Sequence, residues 1–235
     1  MLSSRRIGHL RWLLLLFLFV PMLRAYAQET VFDEPSADIL AKGKVYGELD
    51  GTLRPVTFEA TFTPRVVLGI GSGIEVGMNF NGPSVPDFGQ LSLSPTIKWR
   101  PWDDVSSGWS FYCGSDVFFP VRMRTYDAGA YIYASFAKSW KSGTTVTFGG
   151  YDYTRDVVAP ANRAGGEFSI QQPISRRWTF ASEWYTGKTS VGYVNTGLIV
   201  KVTSKVTLYS AYQIGNYDVT KGNHQFLWEI GYNFN

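Results

Sequence analysis

Cysteine and histidine are nearly missing from this 235-residue chain, which has one cysteine, Cys113, and two histidines, His9 and His224. A single cysteine excludes a disulfide framework and any multi-cysteine metal site. The two histidines stand at opposite ends of the sequence, and His224 has no serine near it in its own strand. Ser-His catalysis therefore has no support, and the chain reads as a non-enzyme with no cofactor and no metal set. Charge is scarce too, at 17% of residues, against roughly 25% in an average globular domain. Beyond the N-terminus no stretch approaches the roughly 18 consecutive apolar residues that mark a membrane helix.

Aromatic residues and glycine are abundant instead: 16 Phe, 14 Tyr, 8 Trp and 24 Gly. The formal net charge of +3 suggests an anionic partner until the N-terminus is read. Arg5, Arg6 and Arg11 precede an apolar run at residues 12–20, and Ala25 and Ala27 fit the −3 and −1 places of a cleavage site. That three-part pattern is a secretory signal peptide over residues 1–27. Its nine apolar residues fall short of the about 20 needed to span a bilayer. No cysteine near the cut marks a lipoprotein. Four of the 22 basic residues (Arg5, Arg6, Arg11, Arg24) leave with it, so 18 face 19 acidic ones. At about −1 the mature chain loses its case for binding nucleic acid.

Residues 28–42 are polar and are expected to form a periplasmic N-terminal segment, with room for a short helical turn near Ala37. From residue 43 to 235, alternation punctuated by Gly, Pro, Asn, Asp and Ser predicts strands and turns. Twelve are expected, near 43–49, 56–70, 73–81, 90–100, 108–120, 125–138, 144–154, 164–173, 178–187, 190–201, 206–216 and 224–235. Mostly tight connections at 71–72, 101–107, 139–143, 175–177 and 203–205 alternate with generally longer ones such as 81–89 and 156–163. Two sets of connections along an even number of strands describe an up-and-down meander with both termini on one side.

Successive side chains point to opposite faces of a strand. In the second strand Phe58, Ala60, Phe62, Val66, Leu68 and Ile70 share one face, and Thr57, Glu59, Thr61, Thr63 and Arg65 share the other. Sorted this way, Phe and Trp gather on apolar faces and Tyr on polar ones. Two environments account for such a split. In a soluble lipocalin-like barrel or sandwich the apolar face is buried, whereas in a membrane barrel it meets lipid and the polar face lines the lumen. Trp99, Trp109, Trp178 and Trp228 on apolar faces, three of them near tight turns, favour an interfacial girdle. Strands of about 9–11 residues match the bilayer. A terminal strand, WEIGYNFN, is free to pair with the first and remove both edges. The expected fold class is all-β, a closed antiparallel up-and-down transmembrane β-barrel of about twelve strands at residues 43–235.

That last strand also resembles the C-terminal insertion signal of Gram-negative outer-membrane proteins, with Phe234 penultimate before Asn235. The resemblance implies the outer membrane as location, the lipid bilayer as surroundings and the outer-membrane assembly machinery as a partner. The runs TPRVVLGIGSGIEVGMNF (63–80) and LSPTIKWRPW (93–102) are similar to the outer-membrane transporter and phenol meta-pathway degradation family. The matching residues are Pro64, Gly69, Glu75 and the Lys98-Trp99 pair. This second likeness implies a diffusion or transport barrel.

The polar faces carry Glu48, Glu59, Glu75, Asp116, Asp127, Glu167, Glu183 and Glu229 against Arg65, Lys98, Arg100 and Lys201. Such a surplus of acids biases a pore toward cations. The candidate solute pathway comprises Glu59, Arg65, Glu75, Lys98, Arg100, Tyr112, Asp116, Tyr131, Tyr133, Tyr151, Glu167, Glu183, Tyr185 and Glu229. Inward tyrosines suit a small apolar or aromatic solute. Alternatively Glu59, Arg65, Glu75 and Lys98, on adjacent strands, pair across the bore and make a closed structural barrel. Eight strands are filled by side chains and sixteen leave a channel, so twelve decides neither way. His224 is expected at the membrane interface, and Cys113 as an inert small hydrophobe.

Overall fold

A strand holds its register only where both of its faces find a suitable environment. The computed structural model describes residues 30–86, 91–122, 128–154, 163–189, 191–216 and 222–234. The expected leader at 1–27, and Asp127 on a polar face, lie outside the described residues. Within these residues there is no helix. The strands are β1 Val45–Arg54, β2 Glu59–Gly71, β3 Ile74–Asn81, β4 Ser84–Val85, β5 Leu91–Asp104, β6 Trp109–Arg122, β7 Gly129–Ser139, β8 Thr145–Tyr153, β9 Ala164–Pro173, β10 Trp178–Tyr185, β11 Tyr193–Lys201, β12 Val206–Gly215 and β13 Gln225–Asn233. The two-residue β4 folds back onto Ala60 and Thr61 of β2. The other twelve pair antiparallel in chain order, and β1 joins both β2 and β13. The seam runs from Tyr46 opposite Asn233 to Leu53 opposite Phe226 and closes the barrel.

The largest departure from expectation is in the first hairpin. The first strand is expected to end near residue 49, yet β1 continues through Asp50-Gly51 to Arg54. The reason is steric. The Trp228 ring lies over Gly51, where a Cβ would come within 2.3 Å of it, so this glycine gives room to a cross-strand aromatic. The chain turns instead at residues 55–58, with Phe58 at φ 53. Phe58 is thus in a turn and not on the apolar face of β2. No helical turn forms near Ala37, where Ser36 caps the bend by accepting a hydrogen bond from Asp38 N at 3.3 Å.

The two faces separate the aromatics by type. Trp99, Phe136, Phe148, Phe168, Trp178, Trp184 and Phe226 are exposed, whereas Tyr46, Tyr112, Tyr131, Tyr133, Tyr151, Tyr153, Tyr185, Tyr193 and Tyr209 are buried. Tyr212 and Tyr232 are the outward exceptions among the described tyrosines. Contiguous exposed apolar surface of this extent is out of place in water and at home in lipid. Trp99, Trp102, Trp109, Trp140 and Trp178 all lie at the end carrying the connections 105–108, 140–144 and 174–177, as an interfacial belt requires. Outward aromatics also pack on one another: Phe111 lies 4.9 Å from Phe136, which stacks on Phe148 at 5.8 Å. His224 is exposed and stacks on Tyr212 at 6.1 Å.

Inward glycines make room for the inward tyrosines. A Cβ on Gly231 would stand 2.0 Å from the Tyr46 hydroxyl, and one on Gly114 2.3 Å from that of Tyr133. Outward Gly150, by contrast, would meet only the Gly165 carbonyl oxygen at 3.4 Å. Overfilling a packed interior costs about 1–3 kcal/mol. Gly231→Val is therefore expected to lower the unfolding free energy of the folded barrel, read from urea titration, by an amount in that range. Gly150→Ala is expected to stay within about 0.5 kcal/mol of the parent, with folding read from heat-modifiable migration on gels.

Candidate functional site in the barrel lumen

The bore is occupied by the chain's own N-terminal segment. Val31, Phe32, Glu34 and Leu40 are buried although they belong to no barrel strand. Val31 and Phe32 pack with Ala181, Ile199, Tyr209, Ala211 and Leu227, which face inward from β10 to β13. Leu40 packs with Tyr46 and Val67. At the seam-side mouth Gly43 N donates to Gly69 O at 2.8 Å, and Gly69 N to Lys44 O at 3.0 Å. From there the chain runs into the bore and bends tightly, Val31 N donating to Glu34 O at 2.7 Å and Thr30 bridging Pro35. The segment expected to lie on the periplasmic side of the barrel is thus, over residues 30–41, inside it.

Main-chain groups do most of the anchoring. The Glu183 carboxylate accepts from the backbone N–H of Phe32 (3.0 Å), Asp33 (2.8 Å) and Glu34 (3.0 Å), and from the Asn195 amide. A lone buried carboxylate is costly, and hydrogen bonds to a charged group contribute about 1.5–3 kcal/mol each, so the bend meets a need of the barrel wall. Tyr185 donates to Asp33 O at 3.0 Å, Tyr112 to Pro35 O at 2.7 Å and Arg100 to Ala37 O at 2.9 Å. Leu40 N donates to Glu75 at 2.8 Å. One side chain joins in: the Asp33 carboxylate accepts from Asn195 at 2.9 Å and from Gln213.

Tyrosines fill the opposite half. Tyr131 stacks on Tyr133 at 5.2 Å and lies 4.9 Å from Tyr153, with Tyr151 and Tyr185 at 6.0 and 6.5 Å. Its hydroxyl donates to Glu167 at 2.9 Å, and Ser135 donates to the same carboxylate. A cavity of about 60 Å³ remains between the segment and the wall, bordered by Asp33, Pro35, Lys98, Asp116, Tyr131 and Tyr133.

The charged candidates fall into separate groups. Glu59 sits at the rim, paired with Arg54 at 2.9 Å and not with Arg65. Arg65 reaches Asp50 and lies 3.5 Å from Glu48. Lys98 and Glu75 do pair, at 2.7 Å and nearly buried. Arg100 pairs with Asp103 at 3.1 Å near the tight-turn end. Asp116 is 3.5 Å from the Asn79 amide. Glu229 is buried with neither oxygen hydrogen-bonded. Sequence reasoning overlooked Asp33, Asn195, Gln213 and Asp50. Asn195 and Gln213 share inward parity with Tyr193 and Tyr209, and an inward Glu183 with no cation nearby was the signal that uncharged donors stood opposite it.

No family model matches the sequence, and no curated protein does. The likeness to phenol meta-pathway barrels therefore stays with the short motif at Pro64, Gly69, Glu75 and Lys98-Trp99. Solved structures are similar in fold. The NanC porin matches with a TM-score of 0.56 and 12% identity over 80% of this chain and 99% of that one. The KdgM porin, solved in complex with disordered oligogalacturonate, gives 0.56 and 11% over 81% and 99%. An outer membrane channel from Pseudomonas putida F1 gives 0.55 and 8% over 86% and 99%. The chain thus has the twelve-stranded barrel fold of porin-like outer-membrane channels.

Proposed function

We propose that this chain is an outer-membrane channel for small neutral or cationic solutes, non-enzymatic, with its lumen held closed by residues 30–41. The observation that carries the reading is the manner of that closure. Glu183, Glu75, Tyr112, Tyr185 and Arg100 meet the segment through its backbone N–H and C=O groups. Polar groups already paired with a removable peptide are the groups a passing solute would meet once it withdraws. The tyrosine half offers flat faces to a planar or apolar solute. Inward Glu48, Asp50, Asp116, Glu167, Glu183 and Glu229 outnumber Arg65 and Lys98 and disfavour anions. Sequence-level signals add a cleaved leader over residues 1–27 and a C-terminal strand offered to the assembly machinery.

A second reading has its own support. The nearly buried Lys98–Glu75 pair and the Arg65 clasp on Asp50 are what a permanently closed structural barrel would use. Conductance separates the two. The chain from residue 28 onward, refolded into a planar bilayer, is expected to open seldom. The same chain lacking residues 28–41 is expected to conduct steadily and to prefer cations. Placing Glu183→Gln in the shortened chain should move its reversal potential toward the unselective value. A shortened barrel that folds, shifts on heating and stays silent would refute the channel and leave the structural reading.

A further inference from the structure

The seam between the first and last strands carries a carboxylate arrangement whose geometry goes beyond what exclusion of anions needs. Asp50 of β1 lies directly opposite Glu229 of β13. Like charges in that position destabilise a sheet. Glu48, two residues back on β1, faces the same interior. One oxygen from each of Glu48, Asp50 and Glu229 can be chosen so that all three lie within 4.8 Å of one another. The guanidinium of Arg65 pairs with Asp50 and lies 3.5 Å from Glu48, so three carboxylates face one cation. With all three ionised, that one cation leaves two negative charges in the group.

A second observation points inward at this cluster. Glu229 is 1% exposed, and neither of its carboxylate oxygens accepts a hydrogen bond. The same holds for Glu48 Oε1 and Asp50 Oδ1, although the other Glu48 oxygen accepts from the Tyr46 hydroxyl. Buried polar atoms without partners are rare and call for an explanation. Elsewhere in the bore Glu183 takes three backbone N–H groups, Glu167 takes Tyr131 and Ser135, and Glu75 takes Lys98, while the buried Glu34 also has two unbonded oxygens but belongs to no such group of three carboxylates. Among the described residues, carboxylates from both sides of the seam converge at Glu48, Asp50 and Glu229, and each of the three has at least one oxygen that accepts no hydrogen bond.

We propose that Glu48, Asp50 and Glu229 bind one divalent cation, Ca²⁺ in preference to Mg²⁺, which fastens the first strand of the barrel to the last. Carboxylate oxygens alone make a hard donor set, which excludes the softer metals that select nitrogen or sulfur. Ca²⁺ takes six to eight oxygens in flexible geometry and accepts several protein carboxylates, whereas Mg²⁺ demands near-ideal octahedral geometry, keeps several waters and is usually held by one or two carboxylates. A donor set of three protein carboxylates therefore suits the larger ion. A 2+ charge cancels the two that Arg65 leaves and turns a repulsive cross-strand pair into a bridge.

The folded chain from residue 28, stripped with EDTA in detergent, tests this with Tb³⁺ excited through tyrosine and displaced by Ca²⁺, beside urea midpoints with and without Ca²⁺. Sensitised emission should appear and be displaced at about 0.1–1 mM Ca²⁺, the range of extracellular calcium modules, and Ca²⁺ should raise the midpoint. Glu229→Gln should weaken Ca²⁺ at least about tenfold, yet unfold without metal no earlier than the parent, because the repulsion with Asp50 is gone. Glu167→Gln, remote from the seam, should keep parental affinity. Should Glu229→Gln fail to fold, Asp50→Asn gives the same reading. The proposal is overturned if Ca²⁺ neither displaces Tb³⁺ nor shifts the midpoint. It is equally overturned if the seam variant binds as tightly as the parent, which would place the ion elsewhere.

Discussion

In lipid an unpaired strand edge has no water to turn to, so a sheet that crosses a bilayer must close on itself. Here the closure falls between β1 and β13, in an eight-pair register from Tyr46–Asn233 to Leu53–Phe226. Once that seam is fixed, residues along each unbulged stretch of strand are assigned alternately to lipid and to lumen, and register shifts at Gly69–Gly71 and Trp99–Trp102 interrupt the alternation. Phe and Trp of the strands go out, where an apolar ring needs no partner, except Phe118, which packs against the inward tyrosines. Tyr goes in, where its hydroxyl finds Glu167, Pro35 O or Asp33 O. Glycines at 114 and 231 follow from the same constraint, since an inward tyrosine needs space on the neighbouring strand.

Closure also creates the difficulty that the N-terminal segment relieves. Twelve strands enclose more volume than tyrosines alone fill, and the inward face is acidic. Water or a solute would satisfy such a wall, and so does a peptide that presents consecutive N–H groups. The bend at residues 31–34 delivers three of them to Glu183, while Phe32 and Val31 cover the apolar patch of Ala181, Ile199, Ala211 and Leu227. Filling of the bore and hydrogen bonding of the buried Glu183 are thus one event. Structural pairing and solute passage need not compete: Lys98–Glu75 is a fixed part of the wall, whereas the Glu183 contacts are made to a segment outside the sheet.

Much of this was legible in the sequence because period-two alternation is a local signal. Strand number, the up-and-down order and the sorting of Phe and Trp from Tyr all follow from it. It failed where a local cue was overruled from a distance. Asp50-Gly51 looks like a turn to its neighbours, and only the Trp228 ring from the far end of the chain explains why it is strand. That misreading also hid Asp50, and with it the facing of Asp50 and Glu229. The ion pairs were half legible: Lys98 with Glu75 sit on hydrogen-bonded neighbours, but Arg65 turned to β1 while Glu59 was taken by Arg54 across the hairpin. Residues 30–41 gave no sign of their place, because a segment held by its backbone carries no side-chain signature of the site that holds it.

The most direct measurement is amide hydrogen exchange at Phe32, Asp33 and Glu34 in the folded chain from residue 28, with and without Glu183→Ala. Charge-assisted hydrogen bonds of about 1.5–3 kcal/mol correspond to roughly ten- to hundredfold protection. The parent amides should exchange slowly, and the variant should release those three by that factor while the β1–β13 seam stays protected. Exchange at free-peptide rates in the parent would contradict the occupied lumen outright.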